Sequence, residues 1–234
     1  MKIIKEITED KPYLVLYKPS GLPSAPLSLD DKNNAFSKAA ELYPCLLDVK
    51  GKKEIEHGLI HRLDTETSGL LIIAANQEYY EKLLQLQKEG KIIKTYTALC
   101  NVDLENAEKL GSFPPCENLF RPEEKFYCQQ SFFRPYGDGR KEVRPVTEAS
   151  SKIIQKKVGK SVIYQTNIEC QAIENNQIKV KARISNGFRH QVRCHLAWMG
   201  LPVAGDKLYN YKNKEEDMKF FATQIELSGD IWYI

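Results

Sequence analysis

The sequence predicts an α+β fold. Two observations carry this prediction. Several stretches have the composition or alternation of β-strands, and others have helical composition bounded by start or stop residues. The first strand is Tyr13 to Lys18, an apolar Tyr-Leu-Val-Leu-Tyr-Lys run ended by turn chemistry in Pro19-Ser20-Gly21-Leu22-Pro23. Pro19, Pro23 and Pro26 keep the following loop stiff and non-helical, either as a plain corner or as a rigid wall beside a site. Ala35 to Leu42 is helical in composition and is stopped by Pro44. Leu70 to Ala75 is an apolar strand. Asn76 is placed to cap a helix from Gln77 to about Glu89, with Gly90 as its C-terminal cap. Tyr79, Tyr80, Leu83, Leu84 and Leu86 give that helix an apolar packing face.

Ile92 to Cys100 is rich in strand formers. Its alternation puts Lys94, Tyr96 and Ala98 on one face and Ile93, Thr95, Thr97 and Leu99 on the other. Residues 101 to 150 are the least regular part, with Pro114, Pro115, Pro122, Pro135 and Pro145 among interleaved arginines and aromatics. That mixture suits either an RNA-contacting segment, where bases stack and phosphates need countercharge, or an irregular surface insertion. Val162 to Ile173 and Gln177 to Ser185 read as two strands joined by a turn at Asn175-Asn176. The second alternates strictly at Ile178, Val180, Ala182 and Ile184. A helix from His190 to Met199 follows, closed by Gly200 and Pro202, with Arg189 and Arg193 on one face near its start. Positive charge there opposes the helix dipole, a local rule broken where function often makes demands. Ala204-Gly205-Asp206 is a tight loop, and Phe220 to Leu227 is a closing strand.

Composition bounds the function classes. The 234 residues suit one large domain or two small ones, and 42% hydrophobic residues suffice for a sizeable core. A net charge of +3 permits nucleic-acid binding without requiring it. Met1-Lys2-Ile3-Ile4-Lys5-Glu6 lacks the apolar core of a secretion signal, and no run approaches the roughly 20 apolar residues of a membrane span. A cytosolic protein is therefore expected. The six cysteines form no CxxC pair and the four histidines are dispersed, which argues against a metal site.

One stretch concentrates chemistry: His61-Arg62-Leu63-Asp64-Thr65-Glu66-Thr67-Ser68-Gly69-Leu70-Leu71. Arg62 and Asp64 alternate around Leu63 and share a face in an extended segment. The hydroxyl residues can bond nearby backbone, and Gly69 permits close approach or positive φ. From these residues alone Asp64 is either a functional carboxylate or a solvated loop residue.

This stretch resembles the signature of the RluA family of RNA pseudouridine synthases. Three others agree in content and order. Leu16-Tyr17-Lys18-Pro19-Ser20-Gly21-Leu22-Pro23 is similar to the family's N-terminal loop, and Lys94-Thr95-Tyr96-Thr97-Ala98-Leu99 to its central strand. Asn186-Gly187-Phe188-Arg189-His190-Gln191-Val192-Arg193-Cys194-His195-Leu196 is similar to its late helix motif. The likeness is strongest over residues 10–225, with 1–234 expected as one catalytic domain of the compact kind lacking an N-terminal RNA-binding module.

The resemblance implies a pseudouridine synthase fold: a long, mixed, mostly antiparallel sheet flanked by helices, with a central RNA-binding cleft. It implies isomerisation of uridine in structured ribosomal or transfer RNA, with the base flipped into a pocket and no cofactor. Asp64 then initiates catalysis, Arg193 is its cationic partner, and Tyr96 stacks on the target base. Arg62, His61, Thr65, Lys18 and His190 are the candidate substrate contacts. The expected partner is an RNA stem-loop, with no membrane and the protein a monomer. A catalytically inactive RNA-binding or chaperone protein on the same fold is the alternative, and a hydrolase using Asp64 and Glu66 is a remoter one. The chain departs from the pattern at Gly187-Phe188-Arg189, where the family has its arginine one position earlier, so Arg189 does not inherit that arginine's role.

Overall fold

The computed structural model describes residues 1–158, 162–174, 176–212 and 217–234. In chain order the elements are β1 (Lys2–Lys5), β2 (Tyr13–Lys18), α1 (Ala35–Leu42), β3 (Ser68–Ala74), α2 (Gln77–Lys88), β4 (Ile92–Asn101) and α3 (Asn106–Leu110). Then come β5 (Phe126–Tyr136), β6 (Glu142–Val146), α4 (Lys152–Gln155), β7 (Tyr164–Glu174), β8 (Gln177–Ile184), α5 (Gln191–Trp198), β9 (Phe220–Leu227) and β10 (Asp230–Tyr233). The class is α+β, with mixed and mostly antiparallel strand pairing, as expected. The residues cluster into two compact units, 1–94 with 221–234, and 95–220. No helix is long and apolar enough to cross a membrane among the described residues.

In the first unit β2 pairs antiparallel with β3, from Tyr13 opposite Ala74 to Lys18 opposite Gly69. All seven residues of β3 are buried, on both faces, which is why its sequence is a continuous apolar run rather than an alternation. Leu70, Ile72 and Ala74 join a core with Tyr13, Val15, Tyr80, Leu83 and Ile225. Asn76 caps α2 as expected, its side chain accepting from the Tyr79 N–H at 2.8 Å, and Gly90 follows the helix with φ of 73°. β9 joins β3 in parallel, Ser68 opposite Phe221 and Gly69 opposite Ala222.

In the second unit the strand order is β4-β8-β7-β5-β6. The alternation of β8 is realised in full: Ile178, Val180, Ala182 and Ile184 are buried while Lys179, Lys181 and Arg183 are exposed. Asn176 turns between β7 and β8 with φ of 60°; Asn175, expected to share the turn, lies outside the described residues. α5 starts at Gln191 rather than His190, because His190 takes the left-handed conformation and serves as the N-cap.

The segment from 101 to 150 is more regular than either expectation for it, an RNA-contacting segment or an irregular surface insertion. It contains the eleven-residue strand β5, whose first half pairs with β7 and whose second half pairs with β6. Two of its arginines are core residues. Arg144 is 1% exposed, bonds Glu142 at 2.7 Å and the Gly111 carbonyl at 3.0 Å, and lies over the Tyr136 ring at 4.1 Å and the Phe113 ring at 4.4 Å. Arg134 is also buried, over Tyr136. Neither is free to meet a phosphate, so the segment is not an RNA-facing basic loop as a whole. Arg121, Arg140 and Lys141 remain exposed.

Candidate active site

Asp64, Arg62, His61, Thr65 and Lys18 lie in the first unit, and Tyr96, Arg193 and His190 in the second. The loop that carries Asp64 is fixed through its backbone. Lys18 is fully buried at the end of β2, and its ammonium donates to the carbonyls of Pro19 (2.9 Å), Leu22 (2.7 Å) and Thr65 (3.1 Å). The Gly21 N–H also reaches the Thr65 carbonyl, at 2.9 Å. Ser24 Oγ donates to the Leu63 carbonyl (2.8 Å) and accepts from the Leu63 N–H (2.9 Å). Ser20 Oγ donates to the Glu66 carbonyl at 2.8 Å. The proline-stiffened loop is thus a clamp on residues 63 to 66, and the Thr67 N–H closes the turn on the Asp64 carbonyl at 3.1 Å.

Lys18 belongs to this clamp, and its three carbonyl bonds make it a support of the loop that bears Asp64. Its pKa is lowered to about 8, mainly by burial, against the opposing pull of the Asp64 and Glu66 charges. Leu63 points inward and is buried, while Arg62 is exposed and bonds Glu56 at 3.0 Å. An exposed pair of that kind stabilises little and leaves the guanidinium exchangeable. Thr65 is exposed, and Asp64 is half-buried.

Two bases of the first unit, His61 and Lys94, have buried nitrogens. His61 shows part of its ring to solvent, but both ring nitrogens are covered and neither has a hydrogen-bond partner among the described residues. Burial, with the nearby Lys94 charge, pushes its pKa down to about 3, so it is neutral at physiological pH. Lys94 is 3% exposed, and burial lowers its pKa from the ordinary 10.5 to about 8. Below pH 8 its charge opposes folding, because the unfolded chain solvates the ammonium better. Lys94→Met is therefore expected to raise stability by about 1–3 kcal/mol at pH 7. The advantage should shrink as pH rises from 8 towards 10.5, where the wild-type lysine is neutral in the fold. Urea unfolding of both proteins at pH 7 and pH 10 measures this; a variant less stable at pH 7 would contradict it.

In the second unit Tyr96 is buried on β4, and one face of its ring is covered by Phe220, parallel within 6° at 5.1 Å. Arg193 is 4% exposed on α5, a helix whose eight residues are all buried. The helix is anchored by His195, whose Nε2 is bonded to Ser131 Oγ (2.9 Å) and Nδ1 to Thr166 Oγ1 (2.8 Å). Burial keeps this histidine neutral, lowering its pKa to about 3. Arg193 meets Asp206 in a two-point fork, Nε to Oδ2 at 2.7 Å and Nη2 to Oδ1 at 2.8 Å. His190, half-buried, is bonded through Nδ1 to Tyr209 Oη at 3.1 Å. Among the described residues no group of three or more His, Cys, Asp or Glu side chains is placed to hold a metal ion.

The motif-bearing residues fall on a buried central strand, a clamped loop and an anchored helix, and a family profile for RNA pseudouridylate synthase matches residues 12–198, spanning all of them. The chain belongs to the RNA pseudouridylate synthase family. It is 26% identical over 223 residues to ribosomal large subunit pseudouridine synthase D of Buchnera aphidicola subsp. Acyrthosiphon pisum, covering 92% of this chain and 60% of that one. It is 29% identical over 243 aligned positions to ribosomal large subunit pseudouridine synthase C of Rickettsia felis, covering 99% of this chain and 67% of that one. The chain spans 60% and 58% of the length of two curated synthase D relatives it matches. Two solved structures share the fold. Human RNA Pseudouridylate Synthase Domain Containing 1 has a TM-score of 0.64 at 17% identity, over 100% of this chain and 81% of that one. Human RNA Pseudouridylate Synthase Domain Containing 4 has a TM-score of 0.61 at 17% identity, over 97% and 84%.

This member of the pseudouridylate synthase family departs from the motif at Phe188, and the departure has a packing reason. Phe188 stacks on Phe133 at 5.1 Å and 5°, so its position is filled by core rather than by a cation. Arg189 points elsewhere, to the carbonyls of Arg140 and Glu142. Sequence reasoning located Asp206 in a tight loop and Phe220 at the start of a strand but gave neither a role at the site. For Asp206 a signal existed: an arginine inside a largely apolar helix needs a countercharge. For Phe220 none did, because only strand packing places it on Tyr96.

Proposed function

We propose that this protein isomerises uridine to pseudouridine in structured RNA, ribosomal RNA foremost, with the whole chain acting as one catalytic domain. The observation that carries the reading is the family match across residues 12–198, which includes Asp64, Tyr96 and Arg193 in their motifs. The names of the relatives supply the substrate class, since those proteins are called ribosomal large subunit synthases.

The reaction breaks the bond from ribose C1′ to N1 of the base, turns the base, and joins C1′ to C5. The C5 proton is lost and N1 gains one, so the exchange is redox-neutral and needs no cofactor. The target base must first leave its stack. Asp64, presented on a loop whose neighbouring backbone is clamped by Lys18, Ser20 and Ser24, is the initiating carboxylate. A clamped backbone fits this role, because a misplacement of about 1 Å can cost about 100-fold in rate. Tyr96, backed on one face by Phe220, is the stacking ring for the flipped base. Arg193, in its late helix motif, supplies the cationic group of the reaction. Arg62, Thr65, His61 and His190 contact the RNA, and Arg62, whose partner among the described residues is Glu56 in an exposed pair, can swing towards it. The protein is proposed to act as a monomer in the cytosol.

Pseudouridine mapping of ribosomal and transfer RNA, from cells with and without the gene, tests the reading. One or more uridines are expected to stay unmodified when the gene is absent and to be restored by its return. Identical maps, with purified protein binding RNA but converting none, would favour an inactive RNA-binding protein instead.

A further inference from the structure

We infer that Asp206 is a positioning residue for the isomerisation, fixing the direction in which Arg193 presents its remaining amino group. The inference rests on the proposed function for its catalytic half and on the geometry of the second unit for the rest.

Asp206 is 0% exposed and accepts four hydrogen bonds. Oδ2 takes Arg193 Nε. Oδ1 takes Arg193 Nη2 and the backbone N–H groups of Leu208 (2.9 Å) and Tyr209 (3.1 Å). The carboxylate is thereby held by its own loop. The loop is pinned in turn: Asn210 Nδ2 donates to Asn101 Oδ1 (2.8 Å) and the Val203 carbonyl (3.0 Å). Asn106 Nδ2 reaches the Tyr209 carbonyl at 3.0 Å. The Tyr209 ring packs beside the guanidinium at 5.3 Å.

A two-point fork through Nε and Nη2 sets the guanidinium plane, because rotation about Cδ–Nε breaks the pairing. Nη1 is the one amino group outside the fork, so its direction is dictated by Asp206 and by α5. Stability alone is a poor account of this arrangement. A buried ion pair recovers little beyond its desolvation cost, and apolar residues of similar volume serve a core at least as well. What the fork does supply is a fixed aim, and aim is what a cation taking part in a reaction requires.

Asp206→Asn separates the two functions of the carboxylate. The amide oxygen still accepts from Leu208 and Tyr209, but the amide nitrogen sets a donor against a donor of Arg193. The expected result is a single-turnover rate on RNA reduced about 100-fold, with RNA affinity within about threefold of wild type. Asp206→Glu, which returns a carboxylate to the fork, should recover at least about tenfold of the lost rate. Wild-type turnover in Asp206→Asn would overturn the inference. So would rate and RNA affinity falling together in proportion to the unfolded fraction, the pattern of a purely structural residue.

A third readout, on the unsubstituted chain, needs no variant to fold. By nitrogen-15 NMR the Arg193 Nε–H should exchange with solvent at least about 100-fold more slowly than that of an exposed arginine such as Arg121. Rapid exchange would overturn the fork whatever the turnover. A wild-type protein that isomerises no RNA refutes the proposed function instead, and is recognised because it is scored without any substitution at Asp206.

Discussion

Gly69→Ala is expected to cost more than about 4 kcal/mol, enough to abolish folding of a marginal domain at 37 °C. Gly69 has φ of 137°, a conformation that side chains rarely adopt. A Cβ there would lie 2.3 Å from the Ala222 carbonyl oxygen and 2.6 Å from the Ala222 nitrogen, both backbone atoms of β9. Neither can yield without breaking the β3–β9 pairing at Ser68–Phe221 and Gly69–Ala222. The same residue pairs with Lys18 on β2, so the strain is transmitted to the clamp that holds the Asp64 loop. Gly21→Ala is the control. Gly21 also has positive φ, 79°, but nothing lies within 4 Å of an added Cβ. Its cost should be limited to backbone strain of about 1–2 kcal/mol. Urea unfolding of the two variants measures the difference, and equal midpoints would contradict the account of why this motif carries a glycine.

Elements governed by local chemistry were legible in the sequence. β2 ends where Pro19 ends it, α2 begins on the Asn76 side chain, and β8 alternates because only one of its faces is buried. The arginine-and-aromatic stretch from 101 to 150 was not legible, for a physical reason. A guanidinium stacks equally well on a nucleobase and on a protein ring, so the composition of an RNA-binding loop and of a cation–π core is the same. Arg144, between Phe113 and Tyr136, belongs to the core. Its prolines were also misleading as breakers, because β6 ends the strand order of its unit and an edge strand tolerates Pro145.

The site shows the same division. Motif order identified Asp64, Tyr96 and Arg193 as the trio to follow. Which residues support two of them is set by tertiary contacts that no local pattern identifies. Phe220 behind Tyr96 stands 124 positions away along the chain (220 less 96), and Asp206 reaches Arg193 only because a pinned loop returns to α5.

Asp64→Asn is expected to remove activity while leaving the fold intact. The substitution conserves shape. The loop is held through the backbone of Leu63, Thr65 and Glu66, bonds that an asparagine at position 64 leaves in place. The thermal midpoint should therefore stay within a few degrees, roughly 1 kcal/mol of stability. The chemistry has no such tolerance, because a neutral amide can neither add to the substrate nor accept a proton from it. Losses on removing an initiating group exceed about 1000-fold in enzymes that act through one.

The direct measurement is pseudouridine formed per enzyme in unmodified large-subunit ribosomal RNA, quantified after single-turnover incubation with wild type and with Asp64→Asn. Stoichiometric conversion is expected of wild type, and none above background of a folded, RNA-binding Asp64→Asn. Conversion by that variant at the wild-type rate would contradict this.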